Sequence, residues 1–158
     1  MTKEEIRDYC RKVTQSSGTE LVAITLELAA NYLEEADGCK LPAELVEFRL
    51  AIGKARQCIG ELISSLDMKY EISAQLLRIY LFMNQALLRA DIRKDASELR
   101  RIAAMLNRLK AAFVAIKDMD KSGPVMQNAQ QVYAGLTYSK GSLNEDIYIE
   151  NTNRGYTV

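Results

Sequence analysis

The sequence predicts an all-α protein: an antiparallel up-and-down bundle of four long helices, with a shorter helix in front and an extension behind. Three observations predict it. Apolar residues recur at i, i+3, i+4 and i+7 in successive stretches between residues 19 and 116, the period of a helix face. The breaks between these stretches are short and rich in Ser, Asp and Gly, and connections that short force neighbouring helices antiparallel. No stretch before residue 120 alternates with the period of two that marks a strand. With 48% hydrophobic residues in 158, the chain can build a real core, and one domain is the default.

Thr2 and Glu5 have the spacing of a capping box, which opens a first helix running roughly to Val13 with Ile6, Tyr9 and Val13 on one side. A short helix with one thin stripe is marginal alone and should dock on something larger. Such a helix is suited to cover an empty groove and to swing away when another segment arrives. After the break at Gln15–Thr19, a second helix runs from about Thr19 to Ala36. Its apolar set of Leu21, Val22, Ile24, Leu26, Leu28, Ala29, Tyr32 and Leu33 covers far more than one stripe. Gly38 is placed for the left-handed position that ends a helix, and Pro42 for the first turn of the next. The third helix extends to about Ser64, with Leu45, Phe48, Ile52, Ala55, Ile59, Leu62 and Leu66 as its seam.

The fourth helix, an apolar run from Tyr70 through Ile92, organises the chain. Ile72, Leu76, Ile79, Met83, Ala86, Leu87 and Ala90 form a core-facing stripe. Roughly 140–200° around the helix from Ile72, Tyr70, Ala74, Leu77, Leu81, Leu88 and Ile92 form a second apolar face. A helix apolar on two faces is either central in the packing or carries a surface for a partner. The central position is the expectation, and the partner surface is compatible with it. Asp95 and Glu98 read as another capping box, opening a fifth helix with a seam of Leu99, Ile102, Met105, Leu106, Leu109, Phe113 and Ile116.

Residues 1–120 therefore read as the bundle domain and 121–158 as an extension. Past Ser122-Gly123-Pro124 the composition turns to Gln, Asn, Tyr and Gly. Val125, Met126, Ala129, Val132, Tyr133 and Leu136 suit one short amphipathic helix, and Tyr133, Tyr138, Tyr148 and Tyr156 suit half-buried contacts. Ordering so long a segment costs roughly 1–2 kcal/mol per residue, which only burial can offset. The extension is accordingly expected to dock on the bundle or on a neighbouring copy, across the apolar surface a partner would use, with self-association as one outcome.

Composition excludes several classes. Lys+Arg 21 balances Asp+Glu 21, and no basic block carries interleaved aromatics, so nucleic acid and anionic membrane have no electrostatic footprint. Glu27, Asn31 and Glu34 interrupt the best candidate for the roughly 20-residue span that crosses a bilayer. The charged start Met1–Glu5 lacks the apolar core of a signal peptide, and Cys10, Cys39 and Cys58 have no metal-ligand spacing, so a reducing cytoplasm is expected. Histidine is absent, which removes Ser-His and Cys-His pairs and His-based metal sites. The carboxylate clusters Glu4-Glu5 with Asp8 and Glu34-Glu35 with Asp37 read as solvated helix faces, and Cys58 as a small core residue. No catalytic residue, cofactor or metal site is expected.

Lys54-Ala55, Ile59, Glu61-Leu62, Ser65-Leu66-Asp67, Glu71-Ile72, Leu76, Tyr80, Met83, Leu87, Ala90 and Asp95 follow a pattern that resembles the FliS family of flagellin-specific export chaperones. The resemblance extends upstream through Tyr9, Val13, Ser17 and Glu20-Leu21-Val22 and covers about two-thirds of the chain. Departures are Gly18 where proline is common, Leu26-Glu27-Leu28 in place of an aromatic-Asp-Gly, and Tyr70, Gln75 and Asp91 where the family has glycine or asparagine. The resemblance implies a cytoplasmic helical-bundle chaperone that binds the C-terminal segment of flagellin, prevents premature polymerisation and delivers it to the flagellar type III export gate. Candidate flagellin-binding residues are Tyr9 and Val13, at matching positions, with Tyr70, Ala74, Leu77, Leu81 and Leu88 from the second face. The competing class is a helical adaptor that binds a flagellar regulatory protein.

Overall fold

The computed structural model describes residues 3–126. Helices α1 (Lys3–Gln15), α2 (Gly18–Asp37), α3 (Leu45–Ser64), α4 (Glu71–Arg93) and α5 (Leu99–Ile116) follow in order, and a 3₁₀ turn, Lys117–Met119, extends α5. All described regular structure is helical, as the patterning predicts. Thr2 of the first capping box, and the helix and docking expected of the extension beyond Met126, lie outside the described residues.

Cross-helix pairs fix the directions. Arg49 donates to Asp91 at 2.8 Å and Arg56 to Asn84 at 2.9 Å, so α3 and α4 run antiparallel. Lys110 meets Glu27 at 3.6 Å and Arg100 donates to Asp37 at 2.8 Å, so α2 and α5 do the same. One core unites Leu26 and Leu33 of α2, Phe48, Ile52 and Ile59 of α3, Tyr80, Met83 and Leu87 of α4, and Leu99, Ile102 and Leu106 of α5.

The central helix is α2. It packs along both α3 and α5 and also carries α1, whereas α4 packs chiefly on α3. Its broad apolar set is the reason: Ala23, Leu26, Ala29, Ala30, Leu33 and Ala36 are buried, and the alanines let neighbouring backbones approach from more than one side. The second face of α4 therefore does not come from a central position.

Several local expectations are corrected. Ile72 is 57% exposed, while Ser73 and Tyr80 are buried. Ser73 Oγ donates to the carbonyl of Asp67 at 2.7 Å, which turns the first turn of α4 so that position 73 faces inward and Ile72 does not. Gly38 ends α2 in a right-handed conformation, its N–H donating to the Glu34 carbonyl while the Cys39 N–H donates to that of Ala36. The left-handed residue is Lys94, with φ 55° and ψ 44°, where the Asp95 N–H returns to the Ala90 carbonyl and closes α4. Pro42 precedes the third helix, in the turn Leu41–Glu44, instead of occupying its first turn. Asp95 does not cap α5: its carboxylate accepts from the N–H and hydroxyl of Ser97, which hold its pKa below the usual carboxylate value. The cap of α2 was not among the predicted boxes. Ser17 accepts from the Glu20 N–H while the Glu20 carboxylate accepts from the Ser17 N–H at 3.1 Å. At the far end of α5, Ile116 is exposed and the seam stops at the half-buried Phe113, because Ile116 is the last residue before the 3₁₀ turn.

Candidate functional site

The seven candidates fall into two groups that the fold does not bring together. Tyr9 and Val13 belong to α1, which rests on α2. The Tyr9 hydroxyl donates to Glu27 at 3.3 Å and accepts from Asn31 at 2.8 Å, and Lys12 lies 5.4 Å from the ring centroid. Val13 is half-buried. None of the described apolar side chains of α1 joins the buried core, so polar contacts carry much of the hold on this helix. A cavity of about 410 Å³ lies between α1, α2 and α5, lined by Lys12, Ser16, Ala23, Ile24, Lys110 and Val114 among others.

The other group lies along the outward side of α4. Tyr70 is 66% exposed, Leu81 43%, Leu88 40% and Ile92 68%, Ala74 is exposed, and Leu77 is half-buried. The helix forms this row because its inward line is already filled by Tyr80, Met83, Leu87 and Ala90, which leaves the remaining leucines facing outward. Helix α3 adds Val46, 67% exposed, and Leu50, 60% exposed. The Arg49–Asp91 pair puts these beside the C-terminal half of α4. Gly53 and Gly60 continue the Val46 line at seven-residue intervals along α3, and a Cβ at either would meet nothing within 4 Å. The result is an apolar surface on two adjacent antiparallel helices, with a low edge where the glycines stand. The α3 contribution was missed in the sequence, although Val46 and Leu50 fall off the Phe48–Ile52–Ala55 seam and that mismatch was the available signal.

Tyr70 also belongs to a second feature. At the end of the bundle, where α2 begins and α3 and α5 finish, a cavity of about 640 Å³ is lined by Leu21, Val22, Leu66, Leu76, Tyr80 and Phe113, with Glu61, Asp67, Tyr70 and Asp120 also on its walls. Asp120 sits at one edge, where Oδ2 accepts from the Thr19 N–H at 3.0 Å and so satisfies a free donor in the first turn of α2. Bonds from Ser122 and Thr19 hold its carboxyl well below the usual range. A few residues on, the Val125 N–H donates to the Ser16 carbonyl at 3.1 Å, so the segment after α5 is strapped to the turn between α1 and α2.

The arrangement offers surface for binding. Among the described residues no cluster of His, Cys, Asp and Glu could hold a metal ion. Cys58 is buried, which pushes its thiol pKa up, and burial does the same at Cys39, whose Sγ–H faces the Glu35 carbonyl at 3.3 Å. Thiols shifted in that direction are poor nucleophiles at neutral pH. No described helix is long and apolar enough to cross a membrane.

Compared with known families, residues 6–121 match the family described as flagellar protein FliS. No curated protein matches the chain.

Proposed function

The chain belongs to the flagellar protein FliS family, whose members are chaperones and not enzymes, and from that premise we propose that it is a cytoplasmic export chaperone for flagellin. Its cargo is the C-terminal segment of flagellin, which it shields from premature polymerisation and delivers to the flagellar type III export apparatus. The observation that carries this reading is the apolar surface on α4 and α3, where Tyr70, Leu81, Leu88, Ile92, Val46 and Leu50 are all at least 40% exposed in a chain with a well-filled core. Contiguous apolar surface of that kind on a soluble bundle marks an interaction site.

The physics suits a disordered cargo. A segment that folds on binding loses roughly 1–2 kcal/mol of backbone entropy per residue, and burial returns about 25 cal/mol per Å² of apolar surface. Coupled folding of this type therefore needs an interface on the order of 1,000–3,000 Å². A two-helix face with a low glycine edge accommodates an amphipathic helix laid along it, the helix-in-groove mode of recognition. Helix α1, held to α2 through the Tyr9 hydroxyl, lies apart from this face and can detach without disturbing the core, which would open further surface on α2.

The experiment is a pull-down of full-length flagellin against flagellin lacking its C-terminal segment. Loss of binding on truncation is the expected result. Equal binding of the two would remove the proposed mechanism and favour the regulatory adaptor instead.

A further inference from the structure

We propose that the cavity at the end of the bundle is a second anchor point for the cargo, taking a cluster of large apolar side chains that has a lysine or arginine beside it in sequence. The inference rests on the reading that flagellin's segment runs along α4. Tyr70 makes the connection, because it belongs to the exposed α4 face and also lines the cavity. A helix following that face toward the start of α4 arrives at the cavity mouth.

The size and lining specify the apolar part. About 640 Å³ lies within the range of pockets that bury a drug-sized ligand, room for more than one side chain, and Leu21, Val22, Leu66, Leu76 and Phe113 are half-buried on its walls with apolar surface still to cover. Charge specifies the neighbour. The charged side chains on the wall are Glu61, Asp67 and Asp120, all acidic. The cation nearest to Asp67 is Lys69, 3.9 Å away on a side chain that is 87% exposed, so it neutralises little. Asp120 is already bonded by Thr19 and Ser122, and Asp67 by the Lys69 N–H, so these two keep their partners when the cavity fills, but the wall still carries net negative charge. A cation next to the anchor complements that charge, and a carboxylate there would be repelled.

The test measures binding of flagellin to the full-length protein by calorimetry at low and at moderate salt. Glu61→Lys, at an exposed position, is expected to weaken binding roughly fivefold at low salt and to flatten the salt dependence. Thr25→Met, which extends a cavity-lining side chain into the space, should weaken binding by a similar factor at both salt concentrations. Unchanged melting curves establish that both variants are folded. If Leu81→Asp abolishes binding while Glu61→Lys and Thr25→Met bind as wild type does, the cavity assignment is overturned and the proposed function stands. If all three bind like wild type, both readings fall. Tighter flagellin binding by the full chain carrying Leu136→Asp and Tyr138→Asp would assign the cavity to the protein's own C-terminal extension and overturn the assignment to cargo.

Discussion

The two sides of α4 carry similar side chains and stand in opposite relations to water. Tyr80, Met83 and Leu87 are at most 1% exposed, whereas Tyr70, Leu81, Leu88 and Ile92 are at least 40% exposed on the same helix. The difference teaches that composition alone does not distinguish core from interface. What does is whether the neighbouring helices have already filled the space. On the inner side α4 joins the core shared with α2, α3 and α5, packing chiefly on α3, and its outer row lies beside the flank of α3 without being covered by it.

The largest expected effect comes from breaking the inner side. Leu87→Ala should lower unfolding free energy by about 2–5 kcal/mol in a denaturant titration, since it opens a cavity among fully buried neighbours. Changing the outer side should leave the fold almost untouched. Leu81→Asp is expected to abolish flagellin binding while helical signal and melting temperature stay close to wild type. If Leu81 were core, the same change would bury a carboxylate and cost several kcal/mol. Loss of folding in that variant would move the residue to the core and end its candidacy.

A smaller effect sharpens the contrast at α1. Tyr9→Ala removes the hydroxyl that joins Glu27 and Asn31, so amide exchange in α1 should accelerate while α2 to α5 keep their protection. Unaltered exchange and unaltered cargo affinity would count against any covering role. The smallest effect is at Gly53. Alanine there meets no atom, so Gly53→Ala should stabilise the empty protein by about 0.5–1 kcal/mol through helix propensity. A cargo helix that approaches the low edge closely would bind that variant more weakly, and equal binding would place the helix elsewhere on the face.

Much of the bundle was legible because its seams are long and periodic: Phe48, Ile52, Ala55, Ile59 and Leu62 of α3 are all buried as their spacing predicts. The stripe of α4 was legible from Leu76 onward, with Met83, Ala86, Leu87 and Ala90 buried. It failed only at Ile72, in the first turn, where the hydroxyl of Ser73 reaches the Asp67 carbonyl, a contact that no hydrophobic pattern encodes. Which helix would be central was misread for a related reason. The longest apolar run drew attention to α4, but the alanines of α2 decide how closely two neighbours can pack. Asp95 had the right spacing for a cap, yet its nearest donors belong to Ser97, and a local turn won. Of the candidate site, the outer row on α4 could be read from one helix alone. The α3 flank needed the antiparallel register, and the end cavity needed four helices and the segment after them, so neither could be read from any single stretch.

The strap at Asp120 and Val125 has a mechanical consequence. It stitches the segment after the last helix to the turn after the first, so the described fold is closed on itself even though its chain is linear. Domains usually fray independently from their two ends. Here the Thr19–Asp120 and Ser16–Val125 bonds belong to both ends at once, so a pull on either is resisted by the same pair of hydrogen bonds. The carboxylate at the stitch stays ionised well below the ordinary carboxylate range, so this contribution is intact at neutral pH and through mild acid. It is lost only as the pH falls through the depressed folded-state value. A force that peels away the segment after α5 is therefore passed directly to the turn between α1 and α2.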